Sequence, residues 1–225
     1  NPSGVYLLNG SFSTITQSNI SNPGGYGVTF GGSAVRNTIS VSTITGAAIS
    51  YSGLFFNSGS ATNTVSNSYV QGSTAAFLIN SVGSTIDSSV LVATSPTGNA
   101  LWLTGGSVNL TLVADTLIGG QSGAGVFLDS NNTGAIAFSS NTIKAARYGL
   151  LISTQSAGAS LAVATMTFAS LAAGATAVQF TGGTFISTFT AMDFDSSVAV
   201  NVNASLLNTA SRITMNAHSG ARTGA

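Results

Sequence analysis

The residues best suited to acid–base chemistry are Asp193 and Asp195, in the segment MDFDSS. Two carboxylates that are two positions apart on a β-strand point to the same side of the strand. Such a pair could bind a cation or serve as the two carboxylates of a retaining glycosidase. No Glu, His or Arg lies near them in the sequence, which favours a solvated strand face. Asp193 and Asp195 are therefore weak catalytic candidates.

The other titratable residues do not suggest a second site. Asp87, Asp115 and Asp129 fall at different positions of three different repeats, described below. Asp115 stands where neighbouring repeats have Ser or Asn, which favours a turn-stabilising role. His218 lies in the C-terminal segment NAHSGARTGA, which is typical of a frayed end. The sequence has no nucleophile elbow, phosphate-binding loop or dinucleotide fingerprint, and we expect no metal and no cofactor.

The composition restricts the possible partners. Of the 225 residues 44% are hydrophobic and only 4% are charged, against about 25% in ordinary globular proteins. Five basic and five acidic residues balance, so the chain lacks the basic face that nucleic-acid binding needs. The absence of Cys excludes disulfides and thiolate metal sites. A net charge near zero also removes a barrier to self-association.

A short apolar phrase recurs along the chain, as in GVFL at 125–128 and GLLI at 149–152. A small residue, mostly Gly or Ala, opens each copy. Eight intervals cover 195 residues, a mean near 24. The first apolar residues of the copies are Val5, Val28, Leu54, Phe77, Leu101, Val126, Leu150, Val178 and Val200.

A second phrase, apolar-x-x-polar-x-apolar, follows each copy of the first, as in ITQSNI at 15–20 and FSSNTI at 138–143. Its fourth residues are Ser18, Ser42, Ser68, Ser89, Asp115 and Asn141, and Met166 stands there in the next copy. Alternating segments this short, separated by Gly, Ser and Asn, predict strands. The alternation in LAVATMTF likewise favours a buried strand over a membrane span in the uncharged region 148–192.

One repeat cannot bury its own apolar side, whereas stacked repeats can, because each strand pairs with its equivalent one turn away. We therefore predict an all-β parallel solenoid of about nine turns, with polar residues stacked at its corners. The prediction treats 1–225 as a single domain, with regular turns over 4–202, a final turn or tail over 203–225, and a longer parent chain.

This pattern resembles the right-handed parallel β-helix superfamily, which includes pectate lyases, polygalacturonases, phage tailspikes, autotransporter passengers and bacterial surface proteins. The segment GAIAFSSN at 134–141 also resembles the repeats of polymorphic outer-membrane adhesins. The resemblance implies the fold but no single function, because the superfold includes both enzymes and inert stalks. In sugar-processing members the same sheet lines the substrate groove.

Between the two inward residues of each first phrase lies one residue that must point outward. Its large apolar members, Tyr6, Phe55, Leu78, Trp102, Phe127 and Leu151, predict an exposed stripe. Such a stripe usually marks an interface. The inward set predicts one stacked core that comprises Val28, Phe30, Leu54, Phe56, Phe77, Ile79, Leu101, Leu103, Val126, Leu128, Leu150 and Ile152.

Two functions fit these observations. The favoured hypothesis is a non-enzymatic structural or adhesive segment of a secreted or cell-surface protein, associating through the stripe with itself or another extracellular protein. The alternative is a polysaccharide-binding or polysaccharide-cleaving β-helix domain, with carbohydrate as partner. Neither hypothesis involves nucleic acid or a membrane span.

Overall fold

The computed structural model describes residues 3–153, 155, 159–181, 186–194, 198–202 and 212–220, and these contain strands and turns but no helix. The strands form two parallel sheets, of nine and sixteen strands, wound into one coil. The nine-stranded sheet comprises β1 (Ser3–Leu8), β4 (Tyr26–Gly31), β7 (Leu54–Phe56), β10 (Ala76–Ile79), β13 (Leu101–Thr104), β16 (Ala124–Leu128), β19 (Tyr148–Ile152), β22 (Thr176–Phe180) and β24 (Val198–Val202).

The sixteen-stranded sheet supplies the other two faces of the coil. Its first row comprises β2 (Thr14–Thr16), β5 (Thr38–Ser40), β8 (Thr64–Ser66), β11 (Thr85–Asp87), β14 (Thr111–Val113), β17 (Ala135–Ser139), β20 (Ser160–Ala164) and β23 (Ile186–Phe194). Its second row comprises β3 (Asn19–Ser21), β6 (Thr43–Thr45), β9 (Tyr69–Gly72), β12 (Val90–Ala93), β15 (Thr116–Ile118), β18 (Thr142–Lys144) and β21 (Thr167–Phe168). Strand β25 (Arg212–Gly220) pairs with β23.

The predicted count of nine turns is slightly too high. Seven turns, from β1–β3 to β19–β21, have three separate strands. In the following turn both rows of the larger sheet run into the single long strand β23, which pairs with β20 and with β21. The copy of the second phrase that contains Met166, at 163–168, is the last regular one in the sequence, and it lies just before this change.

The core is a column of inward side chains from all three faces. Equivalent residues pair in register from turn to turn, for example Val28 with Leu54 and Ile39 with Val65. The small residue that opens the first phrase faces the second row of the larger sheet. A Cβ atom at Gly27 would lie 2.7 Å from Ile44 Cγ2, so the two strands approach too closely there for a larger residue.

The three corners of the coil differ in how strictly their length is kept. Between the two rows of the larger sheet the connection is two residues in each of the seven turns, as at 41–42 and 114–115. The corner that leads back to the nine-stranded sheet, here called the variable corner, ranges from three residues at 73–75 to eight at 46–53. This difference shapes the surface described next.

Candidate functional site

The outward residues of the nine-stranded sheet form one line, here called the outer row. The register places Phe55, Phe77, Trp102, Phe127 and Leu151 on consecutive turns. Tyr6 and Thr29 precede them, and Gln179 follows.

The prediction for β10 was wrong by one residue. Leu78 is 1% exposed and belongs to the core, whereas Phe77 is half-buried in the outer row and Ile79 also points away from the core. The inward position next to Leu54 and Leu101 is filled by Ala76. Two successive alanines precede Phe77, and the second cannot be told in the sequence from the small residue that opens the phrase. A one-residue slip moves each side chain of a strand to the opposite face.

The aromatic members of the outer row stack on one another. Ring centroids are separated by 5.5 Å between Phe55 and Phe77, 4.6 Å between Phe77 and Trp102, and 5.8 Å between Trp102 and Phe127. Tyr26 continues the stack, with its ring 4.7 Å from that of Phe55. Because the rings lie face to face along the coil axis, they cover one another's faces and present their edges outward. Phe55 is accordingly only 7% exposed.

A cleft of about 300 Å³ lies beside this stack. Tyr26, Phe77 and Trp102 form its aromatic side. The polar side consists of Ser50, Ser52, Ser73, Thr74, Ser95, Thr97 and Asn99, with Gly98 completing the wall. Six of these residues carry hydroxyls and one an amide, so the cleft joins an apolar strip to a surface rich in hydrogen-bonding groups.

The cleft follows from the lengths of three successive loops at the variable corner. The connections 46–53 and 94–100 are long, and the connection 73–75 between them is short. The two long loops therefore stand as walls on either side of a low turn. Hydrogen bonds fix this arrangement: the Ser73 amide donates to the carbonyl oxygens of Ala47 and Tyr51, at 3.1 and 2.8 Å. Thr94 Oγ1 donates to the Ala48 carbonyl oxygen at 3.3 Å, which joins the two long loops directly.

The electrostatics of the cleft are simple. Its lining contains no charged side chain. Burial, helped by the nearby Tyr51 hydroxyl, raises the pKa of Tyr26, so this phenol stays neutral at physiological pH. One carboxylate lies behind the aromatic side: Trp102 Nε1 donates a hydrogen bond to Asp129 Oδ2 at 3.3 Å. Asp129 Oδ1 accepts from the Ser130 amide at 2.7 Å, so the carboxylate is held from both sides and fixes the indole.

The polar residues of the second phrase form a hydrogen-bonded column, here called the corner ladder, as the sequence predicts. The amide of each residue donates to the side-chain oxygen of the residue one turn on, at 2.7–3.2 Å. The column runs through Ser18, Ser42, Ser68, Ser89, Asp115 and Asn141.

Asp115 is the one ionisable member of the corner ladder. It is buried, and its Oδ2 atom has no hydrogen-bond partner. Burial raises the pKa of Asp115 to about 7, against the opposing effect of the Ser89 amide. This places Asp115 inside the wall, as a structural residue.

In the part of the chain that the structure describes, the acidic residues are not gathered into a catalytic group. Asp193 is exposed on β23, in the other sheet from the cleft, and Asp195 lies outside the described residues. Asp87 ends β11, and Asp129 follows β16. Among the residues that the structure describes, no three His, Cys, Asp or Glu side chains come together to hold a metal ion.

Sequence reasoning missed the cleft itself. The tyrosines that extend the stack, Tyr26 and Tyr51, stand just before the phrases GVTF and GLFF, outside the repeated pattern from which the outer row is predicted. Tyr51 packs edge-on against Tyr26, with centroids 5.0 Å apart. The unequal spacing of the first phrase carried the signal, because the gaps around the cleft are 26, 22 and 25 residues, from Val28 to Leu54, Ala76 and Leu101 in turn. Assigning that variation to one corner requires the strand boundaries.

The comparisons with known proteins agree with this architecture. Residues 3–166 match the family of the right-handed β-helix region. The chain belongs to this family, which confirms the predicted class and hand of the coil. No curated protein matches the sequence.

Two solved structures show the same fold. One is the catalytic unit of a thermostable GH87 α-1,3-glucanase from Streptomyces thermodiastaticus strain HF3-3, with 13% identity and a TM-score of 0.55, covering 96% of this chain and 50% of that chain. The other is the Agl-KA catalytic domain, with 14% identity and a TM-score of 0.51, covering 95% of this chain and 45% of that one. The chain thus spans about half the length of each. At these identities the likeness shows the fold alone.

The structure also bears on the uncharged region 148–192. Within the described residues no helix is long and apolar enough to cross a membrane. The described part of that region forms strands β19 to β22 and the greater part of β23.

Proposed function

We propose that this chain is a carbohydrate-binding β-helix domain that acts outside the cell and holds a polysaccharide in the cleft beside the outer row. The observation that carries the proposal is the composition of the cleft. One wall offers the edges of Phe77 and Trp102, and the other offers hydroxyl and amide groups. Sugars have the matching two-sided chemistry, with apolar C–H groups and many hydroxyls.

The geometry of the cleft suits a segment of a linear chain. Its walls span the neighbouring strands β4, β7, β10 and β13, so it extends about 14 Å along the coil axis at the usual strand spacing. A volume of about 300 Å³ is at the lower end for ligand sites.

The two structural neighbours support carbohydrate as the partner, since one is named as an α-1,3-glucanase and both as catalytic units or domains. Hydrolysis needs a pair of carboxylates about 5–9.5 Å apart on either side of the scissile bond. Among the described residues, Asp129 is the one carboxylate bonded to a residue of the cleft lining, and it is engaged by Trp102 and Ser130. The proposal is therefore binding without cleavage by the described residues.

The test uses the single tryptophan of the chain, Trp102, as an internal reporter. Intrinsic fluorescence should change on titration with a bound oligosaccharide, and calorimetry should give the same affinity. Trp102→Ala should abolish the calorimetric binding, whereas Tyr6→Ala, which alters an exposed outer-row ring outside the cleft, should not. A reducing-sugar assay on the same samples should show no product. Unchanged affinity in Trp102→Ala would remove the cleft as the site.

A structural, self-associating role is the second candidate, and a different surface favours it. Tyr6, Leu8 and Phe12 are exposed by 50%, 56% and 69%. Clustered exposed apolar residues promote association. Sedimentation should then show an oligomer that Leu8→Ser with Phe12→Ser dissociates. If instead Trp102→Ser with Phe127→Ser dissociates it, the outer row is the interface.

A further inference from the structure

We infer that the cleft selects an uncharged glycan and discriminates against acidic polysaccharides such as polyuronates. This inference rests on the proposed carbohydrate-binding function and adds the chemical class of the ligand. Its basis is the placement of the charged side chains relative to the cleft, in a chain with few of them.

Among the residues whose side chains the structure describes, no cation lies in the cleft to neutralise an acidic sugar. The wall contains neither Lys nor Arg. Two basic residues have assigned contacts elsewhere: Arg36 lies over the Phe12 ring, and Arg147 lies over the Tyr148 ring and donates to the Gly174 carbonyl oxygen. Lys144 is exposed at the end of β18, in the larger sheet.

In the described part of the chain, the charged side chain that hydrogen-bonds to the lining, Asp129, has the wrong sign for an acidic ligand. The carboxylate of Asp129 accepts the Trp102 indole N–H, directly behind the aromatic wall. A uronate bound against Trp102 would meet a like charge, and it would lose part of its hydration without gaining an ion pair. A neutral sugar avoids both costs.

The remaining polar groups are suited to a neutral ligand. A hydroxyl both donates and accepts, so it can pair with a sugar hydroxyl in either direction. Ser50, Thr74 and Thr97 can therefore exchange hydrogen bonds with a hexose without a fixed charge pattern. Each such hydrogen bond adds only modestly to affinity, whereas a polar group that binding leaves without a partner costs more free energy. Specificity therefore comes from pairing every polar group of the ligand with one of the cleft.

The experiment compares neutral and acidic ligands of equal length. Calorimetry at low and at physiological salt would measure binding of neutral hexose oligosaccharides of several linkages and of oligogalacturonates. Neutral ligands should bind at least tenfold more tightly, and the difference should narrow as salt screens Asp129.

A charge variant tests the cause. Ser95→Lys places a cation on the cleft wall and should raise affinity for oligogalacturonate about five- to tenfold at low salt, with little gain for neutral ligands. The matched control is Ser66→Lys, which adds the same charge on β8 in the other sheet and should change neither affinity. Circular dichroism would verify that both variants fold.

The outcomes separate the inference from the proposed function. Equal or tighter binding of oligogalacturonate by the unaltered chain would overturn the selectivity for uncharged glycans while leaving carbohydrate binding intact. Absence of binding to either ligand class would overturn both. If the preference for neutral ligands is the same in Ser95→Lys, the lack of a cation in the cleft wall is not its cause. That result would also overturn the inference.

Discussion

The strands of the nine-stranded sheet carry two apolar rows, one facing inward and one outward. The two rows are shielded from water in different ways. The inward row is enclosed by the two other faces of the coil, and Leu54 and Phe56 are fully buried. No second layer of described residues covers the outer row. Its rings cover one another along the axis, which leaves Phe77, Trp102 and Phe127 half-buried. Apolar character alone therefore does not distinguish core residues from surface residues here. The face of the strand on which a residue lies does distinguish them.

The largest expected effect is in the inward row. Phe56→Ala should lower the free energy of unfolding by about 3–5 kcal/mol, because it leaves a cavity in a column that cannot collapse around it. Phe127→Ala should cost about 1–2 kcal/mol, since a half-buried ring loses less area and one stacking contact. Urea denaturation of both variants checks this contrast. Equal costs would contradict the distinction between the rows.

The second prediction tests the phase of β10 directly. Leu78→Ala should destabilise by about 2–5 kcal/mol, as for other buried leucines. Phe77→Ala, one residue earlier, should cost about 1–2 kcal/mol although the removed side chain is larger. Thermal or urea denaturation measures both. A larger loss of stability in Phe77→Ala than in Leu78→Ala would support the strand phase expected from the sequence, with Phe77 in the core.

The corner ladder is a third row, which is buried yet polar, and Asp115 makes its stability depend on pH. The pKa of Asp115 is about 7 in the fold and about 3.9 in an unfolded chain, so the folded state holds a proton that the unfolded state has released between these values. The unfolding free energy should therefore fall as pH rises from about 4 to about 7, and then level off.

Asp115→Asn removes this dependence. Asn141 shows the geometry, since its Nδ2 donates to the Leu112 carbonyl oxygen at 2.9 Å while its Oδ1 accepts the Asp115 amide. A side-chain amide at position 115 can donate the equivalent hydrogen bond to a backbone carbonyl oxygen one turn earlier. Its NH2 group would then take the place of the unpartnered Oδ2. Relative to the unaltered chain, the variant should gain about 4 kcal/mol of stability between pH 4 and pH 8, because the pKa of Asp115 differs by about three units between the folded and unfolded states. Urea titrations of both proteins across this range measure the gain, and a parallel pH profile would contradict the assignment.

The smallest expected effect concerns Asp129. Asp129→Ala removes the acceptor of the Trp102 indole, which should change stability by less than about 1 kcal/mol because the carboxylate is only half-buried. The fluorescence of Trp102 should nevertheless shift, and oligosaccharide affinity should fall about two- to threefold as the ring loses its fixed position. Asp87→Ala is the matched control, because Asp87 contacts no residue of the cleft. An unshifted emission spectrum would show that the hydrogen bond does not position the indole.

Most of the coil could be predicted from the sequence, because equivalent inward positions on successive turns must all carry residues that fill the core. The same pattern therefore recurs from turn to turn. Val5, Val28, Leu54, Leu101, Val126, Leu150 and Val178 all pair in the predicted phase. The corner ladder was predictable for the same reason. At Phe77 the repetition failed, since a small core residue, Ala76, is indistinguishable in the sequence from a small opening residue.

The candidate site was less predictable. The outer row follows from strand alternation, so Trp102 and Phe127 could be placed on one face. The cleft depends instead on the relative heights of loops 46–53, 73–75 and 94–100, which come from turns of different length. No residue pattern within a single repeat encodes that difference. Asp129 was likewise visible only as an isolated acid until its bond to Trp102 was seen.

The inequality of the corners has a consequence for how such a chain can change over evolutionary time. An insertion at the two-residue corner would displace a member of the corner ladder and break the register of both rows of the larger sheet. An insertion at the variable corner leaves every strand in place, as the eight residues at 46–53 show beside the three at 73–75. Insertions and deletions at the variable corner can therefore change the walls beside the outer row without altering the strands of the coil. New ligand preferences can arise in this way while the fold stays the same.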